Sequence, residues 1–337
     1  MLCILVAGCS SLPADLPVQW QAFKARFVTA QGRVVDTAAG GVSHSEGQGI
    51  AMLAAVYAND RKAFETLWHW TRTALQIRSD RLFAWRWRPD EEPPVRDLNN
   101  AADGDVLIAW ALLRAAERWR YPPYREQAAA IVADLKHQVV DTAFGPVLRP
   151  GAQGFHRDGV EVVNLSYWIF PAWRDFAQHF GPEPWQELVT SGRTLLEAAR
   201  FGRWGLPPDW LQIAGDDVQV AVKHGSRCSY DAIRIPVYVV WAGLAGELSL
   251  QSFRDFWGYF DGAGFTPDWT DLRDDSVGSY DMPLGFYHVR SLVETHYGRR
   301  YVPRAKVTDA RPDSEHYYSA ALRLLVAMAR EGLPGRP

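Results

Sequence analysis

Three acidic residues stand at the starts of three predicted helices, each in polar surroundings that contain Gly or Ser. Glu46 lies in the stretch SHSEGQG (residues 43–49), and Asp103 and Asp231 open two further helical segments. A protonated carboxyl group can donate a proton to a leaving oxygen, while an ionised one can take a proton from water. The three acids therefore predict general acid–base catalysis, provided that the fold brings them to one cleft.

The stretch around Glu46 also has a simpler interpretation. Ser43 followed three residues later by Glu46 matches a capping box, which would mark a helix start and nothing more. Gly47 and Gly49, however, lower helix propensity at this point. Because glycine lets another element approach the backbone closely, we expect a neighbouring segment to contact the start of this helix.

The spacing of apolar residues predicts about eleven helices and little strand structure. The predicted helices cover residues 15–28, 46–58, 61–75, 106–119, 126–140, 166–180, 185–199, 230–244, 250–260, 283–296 and 314–330. Residues 82–88 alternate between apolar and polar positions, as a short strand or an extended loop would.

Nearly continuous apolar segments, such as 106–113, alternate with amphipathic ones, such as 126–140. A helix that is apolar on all sides is a buried one. The alternation predicts an all-α fold in which an inner ring of helices is surrounded by an outer ring, in one domain of about twelve helices. The inner helices of such a toroid run parallel, so Glu46, Asp103 and Asp231 would meet at one face.

Composition narrows the classes of site and partner. The chain of 337 residues has a formal net charge of −3 and no run of Lys or Arg, which argues against nucleic-acid binding. No His pair has the spacing of a metal site, and no phosphate-binding loop or GxSxG elbow is present, so we expect no metal or other cofactor. The 15 Trp, 13 Tyr and 15 Phe suit stacking on sugar rings as well as core packing.

The first twelve residues predict a residual signal segment, followed by a single domain over residues 13–337. Residues 5–9 read LVAGC, a match to a bacterial lipobox in which Cys9 would become the lipidated first residue. The segment before it lacks a basic region and is short for a signal peptide, so either the signal is truncated or the match is chance. We expect a periplasmic or secreted protein, with an outer-membrane lipoprotein as one form.

Three motifs, in this order, resemble the signatures of glycoside hydrolase family 8. They are SEGQG at residues 45–49, AADGD at 101–105 followed by IAWALL at 108–113, and YDAIRIP at 230–236. The stretches LPPDW (206–210) and NLSYW (164–168) are similar to those of the family's periplasmic endoglucanases that accompany bacterial cellulose synthase. This resemblance covers most of the chain, and it implies an (α/α)6 barrel that hydrolyses β-1,4-glucans with inversion.

The resemblance also implies a role for each acid. Glu46 corresponds to the general acid, Asp231 to the general base, and Asp103 to the residue that holds and distorts the sugar at the cleavage point. Ala102 stands where Ser or Thr is common, which removes a hydroxyl group but no acid, and Ile50 replaces a frequent aromatic residue. In inverting enzymes the two catalytic carboxyl groups lie roughly 6.5–9.5 Å apart.

Arg234, one helical turn after Asp231, is expected to help keep Asp231 ionised, while Glu46 should have a raised pKa. A plain ion pair on a helix surface is the alternative interpretation of Asp231 and Arg234. Three aromatic residues are candidates for the sugar-binding surface, with core packing as the alternative: Trp85, Tyr167 and Trp168. Tyr230, beside the expected base, is predicted to hydrogen-bond the substrate or to position the attacking water, and Arg234 is a further candidate for substrate binding.

These features predict an exported, inverting endo-β-1,4-glucanase that acts on cellulose chains during bacterial cellulose synthesis, with the cellulose synthase complex as an expected partner. Two alternatives stay open. One is a glucan-binding accessory protein with little hydrolysis, and the other is a family 8 hydrolase that acts on xylan, chitosan or mixed-linkage glucan.

Overall fold

The computed structural model describes residues 15–301 and 315–333, and α-helices dominate these two ranges. Eleven helices are present in them, as the apolar spacing predicted. They are α1 (Leu16–Phe27), α2 (Ser45–Tyr57), α3 (Arg61–Leu75), α4 (Ala102–Arg118), α5 (Pro122–Lys136), α6 (Phe170–Phe180), α7 (Trp185–Ala198), α8 (Ile235–Trp241), α9 (Gln251–Tyr259), α10 (Leu284–His296) and α11 (Tyr317–Gly332).

Six of the helices close a ring. Helix α2 packs against α4, α4 against α6, α6 against α8, α8 against α10, α10 against α11, and α11 against α2. The other helices contact this ring from its flanks: α1 contacts α11 and α2, α3 contacts α2, α5 contacts α4 and α6, α7 contacts α6, and α9 contacts α10. From α1 to α10 the chain therefore alternates between flanking helices and ring helices, in agreement with the alternation of apolar and amphipathic segments, and α11 closes the ring.

Burial explains the two kinds of sequence pattern. Helix α4 is buried at every position from Ala102 to Leu113, because it touches protein on all sides, and its apolar residues are accordingly continuous. Helix α3 instead begins after the N-cap residue Asp60, whose side chain accepts a hydrogen bond from the Ala63 N–H. Helix α3 buries a single face, made of Phe64, Leu67, Trp68, Thr71 and Leu75.

Ten short strands form four small antiparallel sheets in the described residues. Three pairs are β1 (Ser43–His44) with β2 (Arg86–Trp87), β3 (Val139–Thr142) with β4 (Gly145–Leu148), and β9 (Arg227–Cys228) with β10 (Thr270–Asp271). The fourth sheet has the order β5 (His156–Arg157), β6 (Val160–Val163), β7 (Leu211–Ala214), β8 (Asp217–Val220). The sequence pattern missed this sheet because strands of two to four residues contain too few alternations to be recognised.

The helix predicted at residues 230–244 differs in a way that matters for Asp231. A 3-10 turn, Ala232–Arg234, comes first, and only then does α8 begin. Pro236 occupies the first turn of α8, where its missing N–H costs nothing. Asp231 therefore lies in the loop that leads into α8, and not in a regular helix.

The predicted signal segment, residues 1–12 with Cys9, lies outside the described residues. Its processing and lipidation stay predictions. Within the described ranges, no helix is long and apolar enough to cross a membrane.

Candidate active site

The first turn of α2 carries Glu46 beside a backbone anchor. The helix begins at Ser45, whose N–H donates a 3.0 Å hydrogen bond to the carbonyl oxygen of Trp85. The capping-box interpretation is wrong, because no side chain caps this helix and Ser43 Oγ accepts a hydrogen bond from Arg33 instead. The Glu46 side chain is thus not used in capping, and it is 24% exposed.

Helices α2 and α4 contact each other through glycines. A Cβ at Gly49 would lie 2.6 Å from the Cβ of Leu107, and one at Gly104 would lie 2.7 Å from the backbone N of Glu46. Neither distance can be reached by real side chains, so this crossing needs glycine at both positions. The predicted close approach is confirmed, and it brings Asp103, the neighbour of Gly104, next to the start of α2.

A single buried guanidinium group, that of Arg234, joins the three predicted acids. Its Nη1 contacts Glu46 Oε1 and lies 3.1 Å from Asp103 Oδ2. Its Nη2 lies 2.6 Å from Asp231 Oδ1 and 2.7 Å from Ser166 Oγ. The Arg234 side chain is only 3% exposed, which excludes the alternative of an ion pair on a helix surface. The structure therefore brings Glu46, Asp103 and Asp231 together around one positive charge.

The buried carboxylates of this cluster bind protons readily. Burial raises the pKa of Asp103 to about 7. Burial also raises the pKa of Asp231, and the nearby charges of Asp209 and Asp103 raise it further. The sequence predicted that Arg234 would keep Asp231 ionised. The pKa of Asp231 moves in the opposite direction, because burial and two neighbouring acids outweigh that pairing. Groups this close titrate as a unit, so the cluster can hold a proton near neutral pH.

Asp209 fixes the loop that carries Asp231. Its Oδ1 accepts hydrogen bonds from the backbone N–H groups of Ser229 and Ala232, both at 2.8 Å, and its Oδ2 accepts one from the Ser229 hydroxyl. Asp209 is 9% exposed, so these bonds are shielded from water. They hold the backbone on both sides of Asp231 in place.

Two of the predicted aromatic residues border the cluster. The ring centroid of Tyr167 lies 5.6 Å from Cζ of Arg234, and Trp210 packs edge-on against Tyr167 at 6.2 Å. Tyr230 is 42% exposed, and its hydroxyl donates a 3.0 Å hydrogen bond to Asp268. Burial and the charge of Asp268 raise the pKa of Tyr230 to about 12, so the hydroxyl stays protonated.

Trp85 holds the start of α2 through its backbone. Its ring is half-buried and stacks on His44 at 6.0 Å, while its indole N–H donates a 2.7 Å hydrogen bond to Asp97. Because the Trp85 carbonyl also accepts from Ser45, the aromatic segment and the helix that carries Glu46 are positioned together.

Trp168 lies in the protein core. It is 1% exposed, its indole N–H donates a 3.1 Å hydrogen bond to the carbonyl oxygen of Leu188 in α7, and its ring fills the space that a side chain at Gly192 would take. Trp168 thus packs between α7 and the ring of helices, and we propose no sugar-binding role for it.

Sequence reasoning missed four residues of the site: Ser166, Asp209, Trp210 and Asp268. Ser166 and Asp209 lie within the stretches NLSYW and LPPDW, yet nothing in their spacing connects them with an acid. They reach the cluster from segments that are 20 to 68 residues from their partners along the chain. The only sequence signal for Ser166 and Asp209 is a polar residue among apolar or proline neighbours, and this pattern is common in loops.

The described ranges contain no group of three or more His, Cys, Asp or Glu side chains arranged to hold a metal ion. The three carboxylates of the cluster face Arg234, and its guanidinium group takes the place that a cation would need.

Comparison with known proteins identifies the family. The model of glycosyl hydrolases family 8 matches residues 2–332. The chain belongs to glycosyl hydrolase family 8. It is therefore a glycoside hydrolase. It is 41% identical over 322 residues to a probable endoglucanase from Novacetimonas hansenii, with 94% of this chain and 92% of that protein covered.

Solved family 8 structures have the same fold. The endoglucanase from Klebsiella pneumoniae superposes with a TM-score of 0.86 at 40% identity, with 94% of this chain and 99% of that chain covered. The endo-β-1,4-glucanase from Acetobacter xylinum gives a TM-score of 0.85 at 40% identity, with 95% and 98% covered.

Proposed function

We propose that this family 8 enzyme is an inverting endo-β-1,4-glucanase. Glu46 acts as the general acid, Asp231 as the general base, and Asp103 positions the sugar at the cleavage point. All three carboxylates contact the buried guanidinium group of Arg234, and this contact is the main support for the proposal. The endoglucanase names of the relatives from Novacetimonas, Klebsiella and Acetobacter support a β-1,4-glucan substrate.

Inversion needs one proton delivered and one proton removed. Glu46 gives its proton to the glycosidic oxygen as the bond from that oxygen to the anomeric carbon breaks. Asp231 takes a proton from a water molecule on the opposite face of the sugar, and the oxygen of that water bonds to the anomeric carbon. Glu46 is then ionised and Asp231 protonated, and exchange of protons with solvent restores both.

The charge balance of the cluster makes a proton available for this reaction. Three carboxylates share the single positive charge of Arg234, so complete ionisation would leave uncompensated negative charge in a largely buried site. The raised pKa of Asp103 and that of Asp231 express this cost. A raised pKa also makes the ionised form of Asp231 a stronger base, which suits the removal of a proton from water.

A series of aromatic rings leads away from the cluster and supports a polymeric substrate. Trp210, which contacts Tyr167, stacks on Phe155 with centroids 5.7 Å apart and ring planes 4° apart, and His224 packs 5.2 Å from Trp210. Phe155 and His224 line a groove of about 590 Å³. Flat rings and a groove of this size suit several consecutive sugar units, as an enzyme that cuts within a chain requires.

We also propose that the closed ring of six helices is the inner layer of an (α/α)6 barrel. Two observations support this architecture: the ring closes through contacts between α11 and α2, and one flanking helix packs on nearly every ring helix. In this arrangement the catalytic cleft lies where α2, α4 and the loop before α8 present their acids.

The activity is tested by measuring hydrolysis of carboxymethylcellulose, xylan and chitosan. The wild type is compared with Glu46→Gln and Asp231→Asn, and with matched changes of exposed acids, Glu187→Gln and Asp141→Asn. We expect rapid loss of viscosity with carboxymethylcellulose and a fall in kcat of about 10²–10⁴-fold in the two cluster variants alone.

Other outcomes would correct the proposal in defined ways. A Glu46→Gln enzyme with wild-type activity would contradict the assigned acid. Activity on xylan or chitosan alone would keep the mechanism and change the substrate. Binding of cellulose chains without hydrolysis would instead identify a glucan-binding accessory protein.

We further propose that the protein is exported, carries a lipid on Cys9, and acts with the cellulose synthase complex. The lipobox match supports lipidation, and the resemblance to cellulose-associated endoglucanases supports the partner. Metabolic labelling with a lipid precursor in the native host should label the wild-type precursor and not a Cys9→Ala variant. Absence of label on both would contradict the anchor. Deletion of the gene should change secreted cellulose, and unchanged cellulose would contradict the partner.

A further inference from the structure

Asp105 is a buried carboxylate for which the proposed mechanism has no use. It lies two residues after Asp103 on α4 and is 0% exposed. Its Oδ1 accepts a 2.8 Å hydrogen bond from the Phe83 N–H, and its Oδ2 accepts a 2.7 Å bond from the side-chain amide of Asn100. Burial of a carboxylate is costly, and these two hydrogen bonds offset part of that cost.

The Asn100 amide is fixed in one orientation, so it requires an acceptor at Asp105. Its oxygen accepts from the Ala152 N–H at 2.8 Å and from Gln138 Nε2 at 3.1 Å. Its nitrogen donates to Asp105 and to Gln138 Oε1. Rotation of the amide by half a turn would place its NH₂ group against the Ala152 N–H. The network therefore requires a carboxylate at position 105. An amide there would place its NH₂ group against the NH₂ group of Asn100, which is also a donor.

The segment that Asp105 holds reaches the active site within a few residues. From Phe83 the chain runs to Trp85, whose N–H donates a 2.9 Å bond to the Asn99 carbonyl and whose carbonyl accepts the 3.0 Å bond from Ser45. Ser45 immediately precedes Glu46. One carboxylate on α4 thus connects that helix, the aromatic segment and the first residue of α2.

We propose that Asp105 is a positioning residue for the catalytic acid. Through Phe83 it sets the place of the Trp85 carbonyl, and through that carbonyl the start of α2, so that Glu46 stays at a fixed position relative to Asp103. The inference rests on the proposed role of Glu46 as the acid. Asp105 touches no substrate in this account, and its effect on the reaction passes through the backbone that it holds.

The test exchanges the two polar groups between positions 105 and 100. Asp105→Asn alone sets an amide nitrogen against a donor, and Asn100→Asp alone sets two carboxylates against each other. In the double variant, the amide at 105 donates to the carboxylate at 100, and its oxygen still accepts from Phe83. Only the bond from position 100 to Gln138 Oε1 is lost, because a carboxylate oxygen cannot donate to it. Asp60→Asn is the matched control, since Asp60 caps α3 and accepts bonds from Trp20 and Ala63.

We expect Asp105→Asn and Asn100→Asp each to lower kcat/KM about 10- to 100-fold at a temperature well below Tm, because small displacements of a catalytic group have effects of this size. The fall should include kcat, and the double variant should recover part of it, since the exchange restores the bond between positions 100 and 105 but not the bond to Gln138 Oε1. Asp60→Asn should lower Tm and leave kcat and KM within twofold of the wild type.

Two results would overturn the proposal. One is a folded Asp105→Asn protein whose Tm has fallen but whose kcat/KM stays within twofold of the wild type. The other is a double variant that folds but stays as impaired as the single variants. If Asp105→Asn does not fold, Gln138→Ala weakens the same network from one partner further away. Normal kinetics in that variant would then contradict the proposal, and a fall in kcat would support it. Assay of Glu46→Gln beside them separates the two claims. An active Glu46→Gln enzyme would refute the acid assignment on which the positioning rests, whereas an inactive Glu46→Gln enzyme with normal kinetics in Asp105→Asn would refute the positioning alone.

Discussion

The two sides of the cleft are built in different ways. On the acid side, Glu46 and Asp103 are held by two helices, α2 and α4, that touch at Gly49 and Gly104. On the base side, Asp231 lies in a loop whose backbone is held by the carboxylate of Asp209. One side depends on close packing of regular elements, and the other on a few polar contacts between distant segments.

The two sides should therefore respond differently to substitutions. A close helix crossing tolerates no added atom, because the contacts on both sides are already at van der Waals distance. A loop held by hydrogen bonds tolerates added volume better, but it loses its shape when a buried donor is left without an acceptor.

The largest effect is expected from Gly104→Ala, which adds one methyl group to the helix crossing. Overpacking of this kind costs about 1–3 kcal/mol in the free energy of unfolding, and separation of Glu46 from Asp103 should lower kcat at least 10²-fold. Gly258→Ala in α9 is the control, because nothing lies within 4 Å of a Cβ at that glycine. Chemical unfolding and steady-state kinetics measure both quantities, and unchanged kcat in Gly104→Ala would contradict the packing account.

A smaller loss is expected from Asp209→Ala on the base side. The change leaves the Ser229 and Ala232 N–H groups without their acceptor, and the loop that carries Asp231 should relax. We expect kcat to fall about 10- to 100-fold, with a partial recovery in Asp209→Asn, which keeps one acceptor oxygen. Asp141→Ala, an exposed acid on β3, is the control. Full kcat in Asp209→Ala would contradict the role of Asp209 in holding the loop that carries Asp231.

The contrast also explains what the sequence could predict. Apolar helical segments and three motifs predicted that Glu46, Asp103 and Asp231 would meet, because the helix that follows or carries each acid is a recognisable apolar segment. Asp209 leaves no such pattern, since its partners Ser229 and Ala232 lie 20 and 23 residues further along the chain. For the same reason, the sequence did not reveal that the pKa of Asp231 is raised, since Asp209 is one of the acids that raise it.

Asp103→Asn should make the protein more stable, and more so at higher pH. The pKa of Asp103 is about 7 in the folded protein against an ordinary 3.8, so the folded state binds the proton more tightly than the unfolded state. Wild-type stability therefore falls as pH rises from about 4 to about 7 and stays lower above that.

The Asn variant removes the part of this pH dependence that Asp103 contributes. Its gain in the free energy of unfolding should be about 1–2 kcal/mol at pH 8, because Arg234 offsets part of the full difference, and near zero at pH 4. Urea unfolding of both proteins at the two pH values measures this gain. Equal gains at pH 4 and pH 8 would contradict the proton assignment.

The smallest effects should separate the two tryptophans predicted from sequence. Trp168→Phe removes the hydrogen bond to Leu188 in the core, and should lower the free energy of unfolding by about 1 kcal/mol with KM unchanged. Trp85→Phe removes the exposed bond to Asp97. If the Trp85 ring binds sugar as predicted, this change should raise KM about threefold with little change in stability. A rise in KM for Trp168→Phe would return that residue to the binding surface.

The central claim is that Glu46 and Asp231 act from opposite faces of the sugar, which produces inversion. Proton NMR of a β-1,4-linked cello-oligosaccharide, recorded within the first minutes of hydrolysis, shows the anomeric configuration of the newly formed reducing end. We expect the α-anomer to appear first and the β-anomer to grow in only by mutarotation. Initial appearance of the β-anomer would show retention, and would contradict the assignment of Asp231 as the base.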